Sequence, residues 1–320
     1  MEFESPFFPM PITRSRVMLE AASELVGMKI WPYRQARISL RDQEEGEWRI
    51  SLFGSDNIEA IEAVDRGEVH IATLNPAAPL SLAYRGCGPF IKPIAVRAIA
   101  IIPSFDQLAF AVVEKTGLQF LSDVAERRYP LRVSLRGQKT HSVHFMLKEV
   151  LAGVGFSLED IISWGGEVRY DHGLPDAPNR LGAVERGEVD AIFDEALAFW
   201  GNRALEIGMQ LLPVKDKHLQ RLEKLGLRRA TISKENYPKL STDVRTVDFS
   251  GFPIFTHARV ADEVVRSFCI ALERRKDRIP WEGQGALPLE RMCRDTLEGP
   301  LDIPLHPAAE NFWREQGYLR

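Results

Sequence analysis

The run Arg136-Gly137-Gln138-Lys139-Thr140-His141-Ser142 holds the densest chemistry in this 320-residue chain. It combines a glycine for close backbone approach, two cations, an amide, an imidazole and two hydroxyls, just where a helix-like period begins. Backbone amides and cations at a helix opening suit a carboxylate or phosphate; a solvated basic loop with an ordinary cap accounts for the same residues. The second glycine and the GK[ST] order of a P-loop are absent. Asp194-Glu195 closes another apolar run and precedes Phe199 and Trp200. An acidic pair there can bind an amino group or transfer a proton, or it can simply cap a helix. Gly54-Ser55-Asp56-Asn57 offers turn amides and the Ser55 hydroxyl to an anion, with capping as the plain alternative. Asn75-Pro76-Ala77 places donors and acceptors at a strand end, where a turn-forming Asn before Pro is equally at home.

Other chemistries find little support. His141 and His144 stand at i, i+3, without a third residue at metal-ligand spacing. Cys87, Cys269 and Cys293 form no CxxC pair and read as buried structural thiols. No GxSxG, HExxH or GxGxxG occurs. Neither a metal nor a cofactor is expected.

The elements that must position these residues come in two similar halves. Ala63–Val69 reads AVDRGEV and Ala183–Val189 reads AVERGEV, six of seven positions identical at an offset of 120 residues. In each copy apolar residues at helical spacing lead to a glycine suited to a left-handed helix end, then to a buried strand, HIATL (70–74) or DAIF (190–193). A strand precedes each helix, RISLF (49–53) and EVRY (167–170), and Asp56 and Asp176 are matching helix-start acids. Strand, helix, strand predicts parallel pairing within each half. Earlier helices are expected over 14–26, with Met18, Ala22 and Val26 on one face, and over 141–152 behind the strand LRVSL (131–135). In the first half only Glu2–Glu4 could supply the corresponding strand. Residues 94–102 and 107–114 read as strands, and 244–256 as a return crossing broken by Gly251 and Pro253. Helices follow over 260–276 and 289–297, in a tail expected to wrap the first half.

The expected fold is α/β: two doubly wound lobes joined by crossing strands. Lobe 1 takes 1–105 and 257–320, lobe 2 takes 115–243, and the crossings are 106–114 and 244–256. Ligands in such sheets bind beyond the carboxyl ends of the strands, here in a cleft shared by the lobes. With 41 basic and 45 acidic residues the net charge is −4, without basic blocks, so a nucleic-acid partner is not expected. No run of about 20 mostly uncharged residues suggests a membrane span. The opening MEFESPFFPMPITRSRV has no apolar signal-peptide core.

Four segments carry a family resemblance: LNPAAPLSLAYRGCGPF (74–90), the 136–142 loop, ERGEVDAIFDE (185–195) and LHPAAENFWREQGYL (305–319). Together they resemble the TAXI family, the solute receptors associated with TRAP transporters. The resemblance implies the type II periplasmic-binding-protein fold, closing on a small anionic or zwitterionic ligand, a carboxylate or amino acid. It also implies a TRAP-type membrane permease as partner and a periplasmic location. Carried over, Ser55, Asn57, Asn75, Ala77, Arg136, Gln138, Thr140, His141, Asp194 and Glu195 would face the cleft, with Phe255 near the return crossing. Two departures stand out: no leader is visible, and PFFPMPITRSR replaces the family's Gly/Tyr-rich first loop. They keep open a cytoplasmic enzyme on the same scaffold, such as a decarboxylase or hydrolase of an aromatic acid. Asp194, Glu195, His141 or Cys87 would then act as acid, base or nucleophile.

Overall fold

The computed structural model describes residues 10–28, 35–41 and 49–320. The Glu2–Glu4 strand candidate lies outside the described residues. Twelve strands are present among them: β1 (Ala36–Arg41), β2 (Arg49–Gly54), β3 (Ile71–Thr73), β4 (Val96–Ile102), β5 (Ala109–Val113), β6 (Arg132–Arg136), β7 (Glu167–Asp171), β8 (Ala191–Asp194), β9 (Met209–Leu211), β10 (Arg229–Ile232), β11 (Val244–Val247) and β12 (Phe252–His257). The helices are α1 (Met10–Gly27), α2 (Glu59–Asp65), α3 (Ala78–Arg85), α4 (Ser122–Glu126), α5 (Ser142–Val154), α6 (Leu158–Ser163), α7 (Leu181–Glu185), α8 (Leu197–Glu206), α9 (Asp216–Leu225), α10 (Asp262–Arg275), α11 (Leu289–Met292) and α12 (Pro307–Glu315).

Two five-stranded sheets form the two lobes, ordered β1-β2-β3-β12-β4 and β7-β6-β8-β5-β9. In each, a strand delivered by a crossing runs antiparallel to both neighbours, and in the first β1 also runs antiparallel to β2. β5 enters the second sheet between β8 and β9, and β12 returns to the first between β3 and β4. Both are buried on both faces, which is why AFAVV and PIFT read as continuous apolar runs rather than alternating ones. The two connections pair where they pass. Phe249 N–H donates to Asp106 O (3.0 Å), Gly251 N–H to Ser104 O (2.9 Å) and Leu108 N–H to Val247 O (3.0 Å). This is the expected architecture of two α/β lobes joined by crossing strands.

The repeat survives in detail. Gly67 and Gly187 both take left-handed backbone, φ +72° and +73°. In each copy the amide of the glutamate just before the valine closes on an alanine carbonyl: Glu68 N to Ala63 O and Glu188 N to Ala183 O, both 2.9 Å. Arg66 and Arg186 likewise each pair with the glutamate two residues on.

Several expectations are corrected. In the first half β2 and β3 pair in parallel, as predicted. In the second, β7 and β8 do not touch: β6 lies between them, parallel to both, so the LRVSL strand occupies the place that the repeat alone assigned to direct pairing. The broken crossing 244–256 divides into two strands. Its hinge, Gly251, has φ +82°, and a Cβ there would meet Ile101 and Pro300 side chains at 3.0 Å. The helix expected over 289–297 stops at Met292. Beyond it, Asp295 and Thr296 side chains accept from the amides of Leu301 and Gly299, a local bonding that competes with helix. The Arg14–Val26 helix forms within α1, but Met18 and Val26 are 72% and 54% exposed, so its apolar face does not enter the lobe core. Asp56 does not cap α2; Asn57 Oδ1 does, accepting from Glu59 N–H at 2.8 Å.

The tail packs on the first sheet as expected. Trp313 Nε1 donates to Ile99 O (2.8 Å) in a cluster with Val265, Leu272 and Phe312. α3 belongs to lobe 1 by sequence, yet its Ala78 and Leu82 join the lobe 2 core around Leu108, Phe110 and Phe249, so the lobes share one apolar seam beside the hinge. No helix among the described residues is long and apolar enough to cross a membrane.

Candidate functional site

The loops at the carboxyl ends of β2, β6 and β8 meet. From lobe 2, Gln138 Nε2 donates to Asp56 Oδ2 (2.8 Å), and Ser142 donates to Asp56 O through its amide (3.1 Å) and its hydroxyl (2.8 Å). These bonds latch the 136–142 loop onto the 54–57 turn of lobe 1. Next to the latch, a cavity of about 300 Å³ separates the starts of α2 and α5, lined by Asn57, Glu59, Lys139, Thr140, His141 and His144 among others.

Behind the latch lies a charged cluster. Arg136, at the end of β6, is 6% exposed. It donates to Asp194 Oδ1 through Nη2 (3.0 Å) and Nε (3.3 Å), and through Nη2 to Glu195. Burial works against its charge, but Asp194 and Glu195 outweigh this and raise its pKa. Asp194, fully buried, is held from its other side by Arg180, Nη1 to Oδ2 at 2.6 Å. Arg180 is also fully buried, and its Nε donates to Ser134 Oγ (3.1 Å). Ser134 Oγ in turn donates to Asp171 Oδ2 (2.8 Å). Buried charges persist only when paired and hydrogen-bonded in this way.

His141 caps α5. Its Nδ1 accepts from Val143 N–H (3.1 Å), its Nε2 lies 3.4 Å from Arg136 Nη1, and its ring stacks on Phe249 at 6.5 Å. Asp106, in the hinge, joins the cluster from the far side. It hydrogen-bonds Glu195 and accepts from the amides of Ala196 (2.8 and 3.0 Å) and Gln107 (2.7 Å). Burial, then the Glu195 charge, push Asp106 well above the ordinary carboxylate range.

The structure thus brings Arg136, His141, Asp194 and Glu195 into one cluster, with Gln138 at the latch and Asn57 and Thr140 at the cavity. Ser55 lies on the other side of the β2 turn, capping Asn57 N–H (3.2 Å) and lining an open cavity of about 470 Å³ with Leu74, Phe252 and Trp281. Asn75 stands half-buried at the end of β3, and Ala77 donates its amide to Ser250 O (3.1 Å) at the hinge. Phe255 is not at the cleft. Its position in β12 points inward between Ala72 and Ala98, into the lobe 1 core with Phe53 and Ile61. Cys87 is half-buried beyond α3 and belongs to the apolar seam. Among the described residues no group of His, Cys, Asp or Glu could hold a metal ion.

Sequence reasoning missed Arg180 and Asp106. The repeat gives no signal for Arg180, since the residue 120 positions earlier is buried Ala60. Asp106 was readable only as the polar break between two apolar runs at the first crossing.

A family model described as the NMT1-like family matches residues 50–317. The chain belongs to the NMT1-like family. No curated protein matches it. Among solved structures it is similar to the alkanesulfonate-binding protein SsuA from Xanthomonas axonopodis pv. citri bound to MOPS, at 17% identity and TM-score 0.31, covering 67% of this chain and 60% of that one. It is also similar to the L-cystine solute receptor of Neisseria gonorrhoeae in its unliganded open conformation, at 10% identity and TM-score 0.27, covering 69% and 68%. A third is the glycine/betaine/L-proline-binding protein ProX from Borrelia burgdorferi, at 8% identity and TM-score 0.37, covering 68% and 67%.

Proposed function

We propose that the chain is a small-molecule solute receptor of the TAXI type, closing its lobes on a carboxylate or amino acid and delivering it to a TRAP-type permease in the periplasm. The observation that carries this reading is the meeting of strand-end loops from both lobes at Asp56, Gln138 and Ser142, with Arg136 and Glu195 immediately behind. In this reading the ligand contacts Asn57, Thr140 and His141 at the cavity, with Ser55, Asn75 and Ala77 along the lobe 1 edge. A ligand carboxylate takes the Arg136 guanidinium in place of Glu195. Charge balance then calls for a ligand ammonium or another donor at Glu195, since a buried carboxylate without a partner is costly.

Calorimetry against dicarboxylates, 2-oxo acids and amino acids tests the reading. Binding lost in Arg136→Ala and weakened in Gln138→Ala, with lobe closure seen by small-angle scattering, is the expected result. Absence of binding by every anionic and zwitterionic compound, with Arg136→Ala indistinguishable from wild type, would sink it.

One observation favours a second reading, an enzyme on this scaffold: Asp106, raised by burial and by the Glu195 charge beside it, is the kind of perturbed carboxyl that serves general acid–base chemistry. Turnover of a bound acid, abolished by Asp106→Asn with binding retained, would distinguish it.

A further inference from the structure

The two sheets are joined by the crossings, by the apolar seam at α3 and by the latch at Asp56. A fourth connection is ionic. Arg228 stands between α9 and β10, and its Nε donates to Asp302 Oδ2 (2.8 Å) and Oδ1 (3.0 Å). Its Nη2 donates to Asp302 Oδ1 (2.6 Å) and to Asp295 Oδ1 (2.7 Å). Both aspartates lie in the tail segment between α11 and α12. Among the described residues, these are the only ion pairs that join a residue packed on the second sheet to one packed on the first.

Each end is anchored on its own side. Ala98 N–H donates to Pro304 O (3.0 Å) and His306 N–H to Ala98 O (2.8 Å), so the Asp302 segment is stitched to β4. Asp295 Oδ1 also accepts from Leu301 N–H (2.9 Å), which fixes it beside Asp302. On the other side, Leu227 is buried in the second core with Leu222 and Phe110. Arg228 O accepts from Asp248 N–H (2.9 Å) at the return crossing.

The fork decides what this contact can do. Two guanidinium nitrogens on one carboxylate hold an angle as well as a distance. Any swing of the lobes about the crossings turns Arg228 against Asp302 and spoils that angle. Salt also reaches the contact, because the side chains of Arg228, Asp302 and Asp295 are 31%, 24% and 57% exposed. Asp248 is a third carboxylate facing the same guanidinium, so without the cation Asp248 and Asp302 repel each other unscreened.

We propose that Arg228 is an ionic tether across the hinge: it favours the latched arrangement of the lobes, and salt or loss of its charge releases them. The tether shares no residue with the latch or with the cavity between α2 and α5. It concerns how the two sheets are held, whatever the cleft binds, so a failure of the cleft reading leaves it standing.

Hydrogen exchange of the unliganded full chain tests it at about pH 8, where Asp248 is ionised. The Ser142 amide, which bonds Asp56 O across the cleft, reports the latch, and the amides of β6 and β8 report unfolding of the second lobe. Arg228→Met should speed exchange at Ser142 ~5-fold, equal to about 1 kcal/mol, and leave β6 and β8 unchanged. Asp295→Asn, which removes the outer carboxylate, should give a smaller rise. In the wild type, raising salt from about 0.01 M to about 1 M shortens the screening length from about 30 to about 3 Å and should produce a rise of the same size; in Arg228→Met it should produce none. Unchanged exchange at Ser142 in Arg228→Met, an equal acceleration throughout β6 and β8, or a salt response that survives the substitution would each overturn the tether.

Discussion

Arg180→Met should be among the most destabilising single changes in lobe 2. The Arg180 guanidinium is fully buried and meets Asp194 Oδ2 (2.6 Å), Ser134 Oγ (3.1 Å), and the carbonyls of Ser134 and Gly173 (both 3.4 Å). Methionine keeps the length of the stem and removes the charge. Asp194, itself fully buried, is then left with Arg136 and the Glu195 amide. Breaking one side of a buried ion pair costs about 3–5 kcal/mol, because the surviving charge stays desolvated. Urea unfolding followed by tryptophan fluorescence measures it, in a cycle of wild type, Arg180→Met, Asp194→Asn and the double variant. Because Asp194→Asn removes the charge that Arg180 compensates, the double variant should lose less than the sum of the singles, by about 1 kcal/mol or more. Arg186→Met, exposed at the opposite end of α7, is the control and should leave the midpoint unmoved. A loss in Arg180→Met no larger than in that control, or strict additivity in the cycle, would refute the view that the cluster is held together by mutual compensation.

Asp248 sets a pH dependence at the hinge. Burial pushes it up from 3.8 to about 6, against hydrogen bonds from Ser250 and the Arg228 charge, while Asp302 adds to the rise. The folded protein keeps a proton that the unfolded chain has already released, so stability falls as pH rises from 3.8 to about 6, by about 3 kcal/mol in all, and is flat above. Urea midpoints at the two ends of that window should converge in Asp248→Asn; an unchanged slope would count against the assignment. Phe255→Ala should cost about 3–5 kcal/mol by opening a cavity in the lobe 1 core, with ligand affinity of the folded fraction unchanged; a selective loss of affinity would return Phe255 to the cleft. Gln138→Ala removes the side-chain bond to Asp56 and should raise the radius of gyration of the unliganded chain in small-angle scattering, an identical profile contradicting the latch.

Much of the fold was legible because it repeats. AVDRGEV and AVERGEV place a helix, a left-handed glycine and a buried strand at the same spacing, and each copy closes with the same 2.9 Å bond. What the repeat could not show is which strands touch. Pairing is decided by competition among all strands of a sheet, and β6 wins the place beside β8 by a contact that no local pattern in either copy encodes. The polar strand ends were legible as chemistry but not as a network. Arg136 reads as a cation open to a ligand, whereas the structure has it engaged by Asp194 and Glu195 at the end of β8, which the parallel pairing of β6 with β8 brings alongside. Phe255 illustrates the same limit: alternation tells that a strand residue points inward, not whether inward is core or cleft.

The two halves differ most where the site lies. Position 60 in the first copy is alanine and position 180 in the second is arginine, so the buried cation enters on one side only. Lobe 1 meets the contact with Asp56, Asn57 and the hydroxyl of Ser55, while Arg136, Arg180, Asp194 and Glu195 all belong to the lobe 2 sheet or its loops. Charged groups whose mutual geometry is fixed within one rigid sheet need no reorganisation when the lobes move. In the proposed reading, closure makes and breaks the bonds at Asp56 while the buried pairs of Arg136 and Arg180 stay inside lobe 2, so these charges are not left unpaired when the hinge opens. In that reading the second copy of the scaffold carries the buried cations that would hold a guest, and the first supplies the Asp56 contact that would open and shut.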